Sequence, residues 1–126
     1  MFAPMPTVTH WDPETGPLQL TTLRQILHRE GMITAWWSDL PGTQSPAHAH
    51  PFPETRWVLS GFLRVKLGDE ILELEPGDRL DLPANTVHAT EVLGLSPVVY
   101  LTGTTDRSVA PAFAMSTRQK EEAVRR

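Results

Sequence analysis

The chain has no cysteine. That excludes zinc–thiolate sites, iron–sulfur clusters, thiol catalysis and a disulfide framework. It suits a reducing compartment, so a cytoplasmic protein is expected. Long apolar runs are missing too. Nothing approaches the ~20 residues that span a bilayer. The first residues, MFAPMPTVTHW, have neither the basic flank nor the apolar stretch of a signal peptide. No membrane partner is expected. Cationic clusters are scarce. The net charge is −4, and Arg118, Lys120, Arg125 and Arg126 all fall in the last eleven residues. The acidic remainder makes a poor surface for phosphate backbones, so no nucleic-acid partner is expected.

What is present fits one domain: 126 residues can build a core without staples. Residues 1–31 read as an extended arm followed by a short helix. In Leu20–Gly31, Leu23, Ile26 and Leu27 share a face, Thr21 or Thr22 can cap the start and Gly31 can end it. Residues 32–105 then change period. MITAWW is β-branched and aromatic, and from Thr55 onward short apolar runs alternate with turns such as GDE and EPGD. Strands at this spacing, with most of the twelve prolines between them, predict an all-β sandwich or barrel. Residues 106–126 are expected to be a disordered or helical tail.

One stretch stands out: GTQSPAHAHPFPETRWVLSG, residues 42 to 61. If His48 and His50 lie on a strand, both side chains point to one face. The PFP segment must turn, and Glu54, opening the next strand, can aim back at the imidazoles. His88 lies on a later strand that a closed barrel could bring alongside. Each residue alone has an ordinary reading: a surface or capping histidine pair, a solvated glutamate, a hydrogen-bonded core histidine. His10 and His28 have only such readings, on the arm and the helix surface. Together the four invite a metal.

The spacing runs Gly42, five residues, His48, one, His50, three, Glu54, six, Gly61. It resembles the first conserved motif of the cupins. Gly77, five residues, Pro83, one, Asn85, two, His88 resembles the second, and 15 residues separate the two stretches. Asn85 stands where the pattern has glycine, and Asn tolerates the left-handed backbone that such a position needs. Val92 stands where the pattern has asparagine, and by parity with His88 it faces the interior. The resemblance implies a single-domain, jelly-roll cupin barrel holding a metal through His48, His50, Glu54 and His88. Three imidazoles and a carboxylate suit one divalent first-row ion per chain (Fe, Mn, Ni, Co, Cu or Zn) and leave one or two positions open.

Around that set, Arg56 should share the inward face of Glu54. It could clamp a substrate carboxylate or phosphate. Pairing with Glu70, Asp78 or Asp81 is the commoner fate of such an arginine. Glu54 could also act as a base, with Leu82 and Val92 as apolar pocket walls. Tyr100, the only tyrosine, could reach the pocket or be an edge aromatic; the second is favoured. Trp36 and Trp37 are consecutive, so one faces outward, and with the apolar arm this suggests a homodimer. The resemblance favours a metal-dependent enzyme of dioxygenase, isomerase or lyase type, acting on a small oxyanionic or chelating substrate. The alternative is a non-catalytic ligand-binding or sensor module with a structural metal.

Overall fold

The computed structural model describes residues 5–109; the expected tail beyond residue 109 lies outside them. Among the described residues, nine strands form two antiparallel sheets. The five-stranded sheet has the order β1 (Thr7–Thr9), β7 (Arg79–Leu82), β4 (Glu54–Ser60), β9 (Val98–Thr104), β2 (Ile33–Asp39). The four-stranded sheet has the order β3 (Gln44–His48), β8 (His88–Leu93), β5 (Phe62–Leu67), β6 (Glu70–Leu74). The sheets face each other across a core of Val58, Leu63, Val65, Leu74, Leu80, Leu82, Val92, Val98 and Tyr100. Mostly-β architecture in two packed sheets is what the turn-punctuated runs predict.

A second apolar cluster lies on the outer face of the larger sheet. Helix α1 (Leu20–Arg29) presents Leu23 and Leu27 to Trp57 and Leu101, with Trp11 and Trp36 packed alongside. The larger sheet is therefore buried on both faces where α1 lies. That is why Glu54–Val58 are buried at five consecutive positions rather than at alternate ones. Trp36 points outward, as parity requires, but the chain's own helix covers it. Trp37 points inward, and its Nε1–H donates to Thr102 Oγ1 at 2.8 Å. The arm likewise folds back on its own barrel. Thr7–Thr9 pair with β7, and His10 Nδ1 meets Asp78 Oδ1 at 2.6 Å. Of the features that suggested a dimer from the sequence, Trp11 and Trp36 are packed within the chain, while Met5 and Val8 on the arm are exposed.

The helix starts two or three residues earlier than the threonines imply. Gln19 is the N-cap, with no side-chain capping bond, so Thr21 and Thr22 fall inside the first turn. Its end is as expected: Gly31 takes φ +83°, and Met32 N–H donates to Leu27 O at 3.0 Å. Arg79 then ties the helix to the sheet through two 2.7 Å bonds to Glu30.

Gly61 makes the turn from β4 to β5 at φ +77°, and a Cβ there would lie 2.5 Å from Pro97 O and 2.7 Å from Val98 Cα. Gly31 shares the left-handed backbone but has open space around it. Gly31→Ala should therefore cost only the backbone strain, ~1–2 kcal/mol. Gly61→Ala adds an overpacking cost of ~1–3 kcal/mol, because the obstructing atoms are backbone. Urea unfolding of both variants checks this; equal losses would show that the contact with Pro97 is not binding.

Candidate metal centre

The centre is assembled from one strand end, one loop and two further strand starts. His48 ends β3, directly opposite His88, which begins β8. The ladder is irregular between Ser45 and His48, which lets the strand end there. His50 is consequently not on a strand, contrary to the sequence reading. It sits in the loop that the PFP segment forces before β4. Among the contacts that hold this loop are two at His50. Asn85 N–H donates to His50 O at 2.6 Å, and the His50 ring stacks on Phe52 with centroids 4.9 Å apart. Asn85 does take the left-handed backbone, at φ 62°, so the turn that carries one motif is bonded to the loop that carries the other.

The three imidazoles converge. One ring nitrogen from each of His48, His50 and His88 lies within 4.8 Å of the others. Their tautomers follow from their partners. His48 Nδ1 is 2.8 Å from Pro46 O and His88 Nδ1 is 2.9 Å from Thr86 O. A carbonyl only accepts, so each Nδ1 carries the proton and each neutral ring presents a lone pair at Nε2. Burial pushes the His50 and His88 pKa values below the usual imidazole value, with the Glu54 carboxylate opposing this only in part. Both rings are thereby kept in the neutral form that a metal needs.

Glu54 joins them from β4. Its Oε2 lies 3.7 Å from His50 Nε2 and 3.9 Å from His88 Nε2. Neither distance is a hydrogen bond, and Glu54 Oε2 and His88 Nε2 are buried without any partner. Two buried lone-pair atoms that face each other and share no proton are costly. An ion between them accounts for both. The four residues therefore fit a divalent transition metal. Access is graded: the His88 side chain is 2% exposed and that of His50 33%, so the centre opens on the loop side.

Arg56 is inward and buried, as parity predicts, but its partner is not among the carboxylates expected. Its NH2 donates to Glu54 Oε1 at 3.2 Å. Asp78 is engaged by His10 and Asp81 by Arg79 and Thr55, while Glu70 sits exposed at the start of β6. The guanidinium lies 5.2 Å above the centre of the Tyr100 ring. Tyr100 is 6% exposed on a central strand, which corrects the edge reading. Its hydroxyl donates to Asp39 Oδ2 at 3.1 Å, and burial pushes its pKa far above the ordinary phenol value. Leu82 and Val92 are both buried in the same core. Phe52 and Asp39 have no place in the sequence reading. Phe52 was legible only as part of a turn, and nothing local marks Asp39 as a partner for Tyr100.

A sequence profile described as the cupin domain matches residues 35–103. No curated protein matches the chain. Among solved structures, one similar protein is an uncharacterized conserved protein with a double-stranded beta-helix domain from Klebsiella pneumoniae. It is 24% identical with a TM-score of 0.53, and the match covers 59% of this chain and 66% of that one. TT1209 from Thermus thermophilus is 25% identical with a TM-score of 0.51, over 60% of this chain and 83% of that one. The DMSP lyase DddQ from Ruegeria pomeroyi is 25% identical with a TM-score of 0.54, and the match covers 59% of this chain but only 38% of the lyase. With both motifs in place, their histidines convergent and the profile spanning β2 to β9, the chain belongs to the cupin family.

Proposed function

We propose that this cupin is a metal-dependent enzyme of dioxygenase, isomerase or lyase type. In this reading it holds one divalent transition ion through His48, His50, Glu54 and His88 and acts on a small oxyanionic or chelating substrate. The observation that carries the metal is the pair of buried, unpartnered atoms, Glu54 Oε2 and His88 Nε2, aimed at one point. A divalent ion there would supply Lewis acidity to a bound substrate. The chain's own contribution is charge and dryness. Arg56 offsets Glu54, so beside three neutral imidazoles the protein adds no net negative charge. An incoming ion therefore keeps its full attraction for an anionic ligand. The barrel core around Leu82 and Val92 excludes water, which strengthens that attraction.

One observation favours the other reading, a ligand-binding or sensor module. The two groups best placed as proton carriers are both committed: Glu54 to Arg56, and Tyr100 to Asp39. Catalysis would then have to use the ion and a substrate's own acidity. Turnover separates the readings: O₂ uptake, or rearrangement or cleavage, with a panel of diketones, flavonols and hydroxy acids supports the enzyme. Binding of the same compounds without turnover supports the module. A homodimer belongs to the proposal as well. Strand β2 ends its sheet with seven residues that include no proline and no lysine, an edge that a second copy would protect. Light scattering should give about twice the 14.1 kDa chain mass, and a monomer mass would remove it.

Metal content tests the centre directly. Protein purified without added metal should carry about one ion per chain by elemental analysis. His50→Ala and His88→Ala should each weaken binding by more than the ~10–100-fold typical of losing an outer partner. Full occupancy in both variants would refute the ligand set.

The pH dependence follows from the depressed His50 and His88 pKa values. Folded-state values below the unfolded ~6.5 give stability that is present above pH ~6.5. It is lost as pH falls through the folded values. Metal-stripped protein should therefore lose urea resistance progressively below pH ~6.5, and His88→Ala should flatten that slope. A wild-type slope that the variant leaves unchanged would show that His88 is not the group titrating.

A further inference from the structure

We propose that Arg56 is a positioning residue for this centre: by holding one oxygen of Glu54, it fixes which oxygen faces the three imidazoles. The inference rests on the metal reading above. Glu54 has two chemically equivalent oxygens on a terminal torsion that is intrinsically broad. Left alone, the carboxylate could turn either oxygen, or both, toward the histidines. The structure removes that freedom. Arg56 NH2 takes Oε1 at 3.2 Å, and it is the remaining atom, Oε2, that lies 3.7 Å from His50 Nε2 and 3.9 Å from His88 Nε2.

The holding group is itself held. Arg56 is 7% exposed, and its guanidinium rests on the Tyr100 ring, whose hydroxyl is bonded to Asp39. Arg56 and Glu54 are two residues apart on β4, so both face inward. Their backbones are laddered to β7 and β9. A cation placed this way commits one amino group to a ligand of the same protein before any substrate arrives. It restricts Glu54 to offering a single oxygen. It also keeps the carboxylate aimed inward when no ion is present.

The test is Co²⁺ binding to metal-stripped protein, by competition with a chromophoric chelator, together with the visible spectrum of the Co²⁺-loaded forms. The proteins are wild type, Arg56→Met, Arg56→Lys, Glu54→Ala and the Arg56→Met/Glu54→Ala double variant. Arg56→Met should weaken Co²⁺ binding ~10–100-fold and change the spectrum, because the carboxylate is free to turn. Arg56→Lys restores a charged donor and should recover most of the affinity. In the Glu54→Ala background, Arg56→Met should have no further effect, since its action runs through the carboxylate. Should Arg56→Met not fold, the cycle is run with Arg56→Gln, which is polar but too short to reach Oε1, and the same loss is expected. Unchanged or tighter Co²⁺ binding by the Arg56 variant overturns the inference, as does an equal penalty with and without Glu54. A wild-type protein that binds no Co²⁺ overturns the metal reading itself, and the inference with it.

Discussion

The register of β4 is the constraint on which the candidate centre depends. Side chains alternate along a strand, so a slip of one residue would turn Glu54 and Arg56 out of the barrel and bring Thr55 and Trp57 in. Four contacts prevent it. Trp57 Nε1–H donates to Gly77 O at 3.0 Å, and Thr55 Oγ1 donates to Asp81. Gly77 N–H donates to Val58 O and Val58 N–H to Asp78 O. All four run from β4 to the turn and strand of the second motif. Outward side chains and backbone bonds together thus fix the inward residues. Gly77 has its own reason to be glycine: a Cβ there would meet Trp11 Cβ at 2.5 Å. Even the arm takes part in holding the strand that carries the ligand.

The sequence made the four candidate ligands legible because spacing survives local irregularity. His48, His50, Glu54 and His88 meet although His50 left the strand on which it was read. Parity placed Arg56, Glu54 and Val92 correctly because β4 and β8 are regular there. The edge reading of Tyr100 is wrong for a reason specific to β9. That strand is central and covered on both faces, so VVYLTGT carries no alternation that could separate inside from outside. The dimer features are ambiguous in the same way. An outward Trp36 announces that something covers it, and composition cannot distinguish a partner from the chain's own helix. Pairings between distant residues, His10 with Asp78 or Tyr100 with Asp39, left no local trace.

Burying an arginine and a glutamate together is seldom a net gain in stability, since desolvation of two ions rivals their attraction. The pair nevertheless does something that an apolar pair could not. It links Glu54 on β4, through Arg56, to Tyr100 on β9 and from there to Asp39 on β2. Three adjacent strands then share one chain of polar contacts on the barrel's inner face. The orientation of a candidate ligand is set by the relative position of all three, and these strands are among the most extensively laddered in the fold.

That rigidity is unevenly distributed, and the unevenness indicates how a ligand enters. Glu54 and His88 start strands, His48 ends one, and all three have backbones fixed by ladders on which the core depends. His50 hangs on the loop from Ala49 to Pro53, outside any strand. It is held by a backbone bond from Asn85, by its stack on Phe52 and by ring contacts with His48 and His88. Local opening costs least where the fewest buried contacts must break. Displacing His50 breaks no sheet ladder, whereas the His88 backbone is paired with His48 between β3 and β8. The half-buried imidazole on the loop is therefore the candidate ligand whose displacement leaves the ladders intact, and the centre opens on that side.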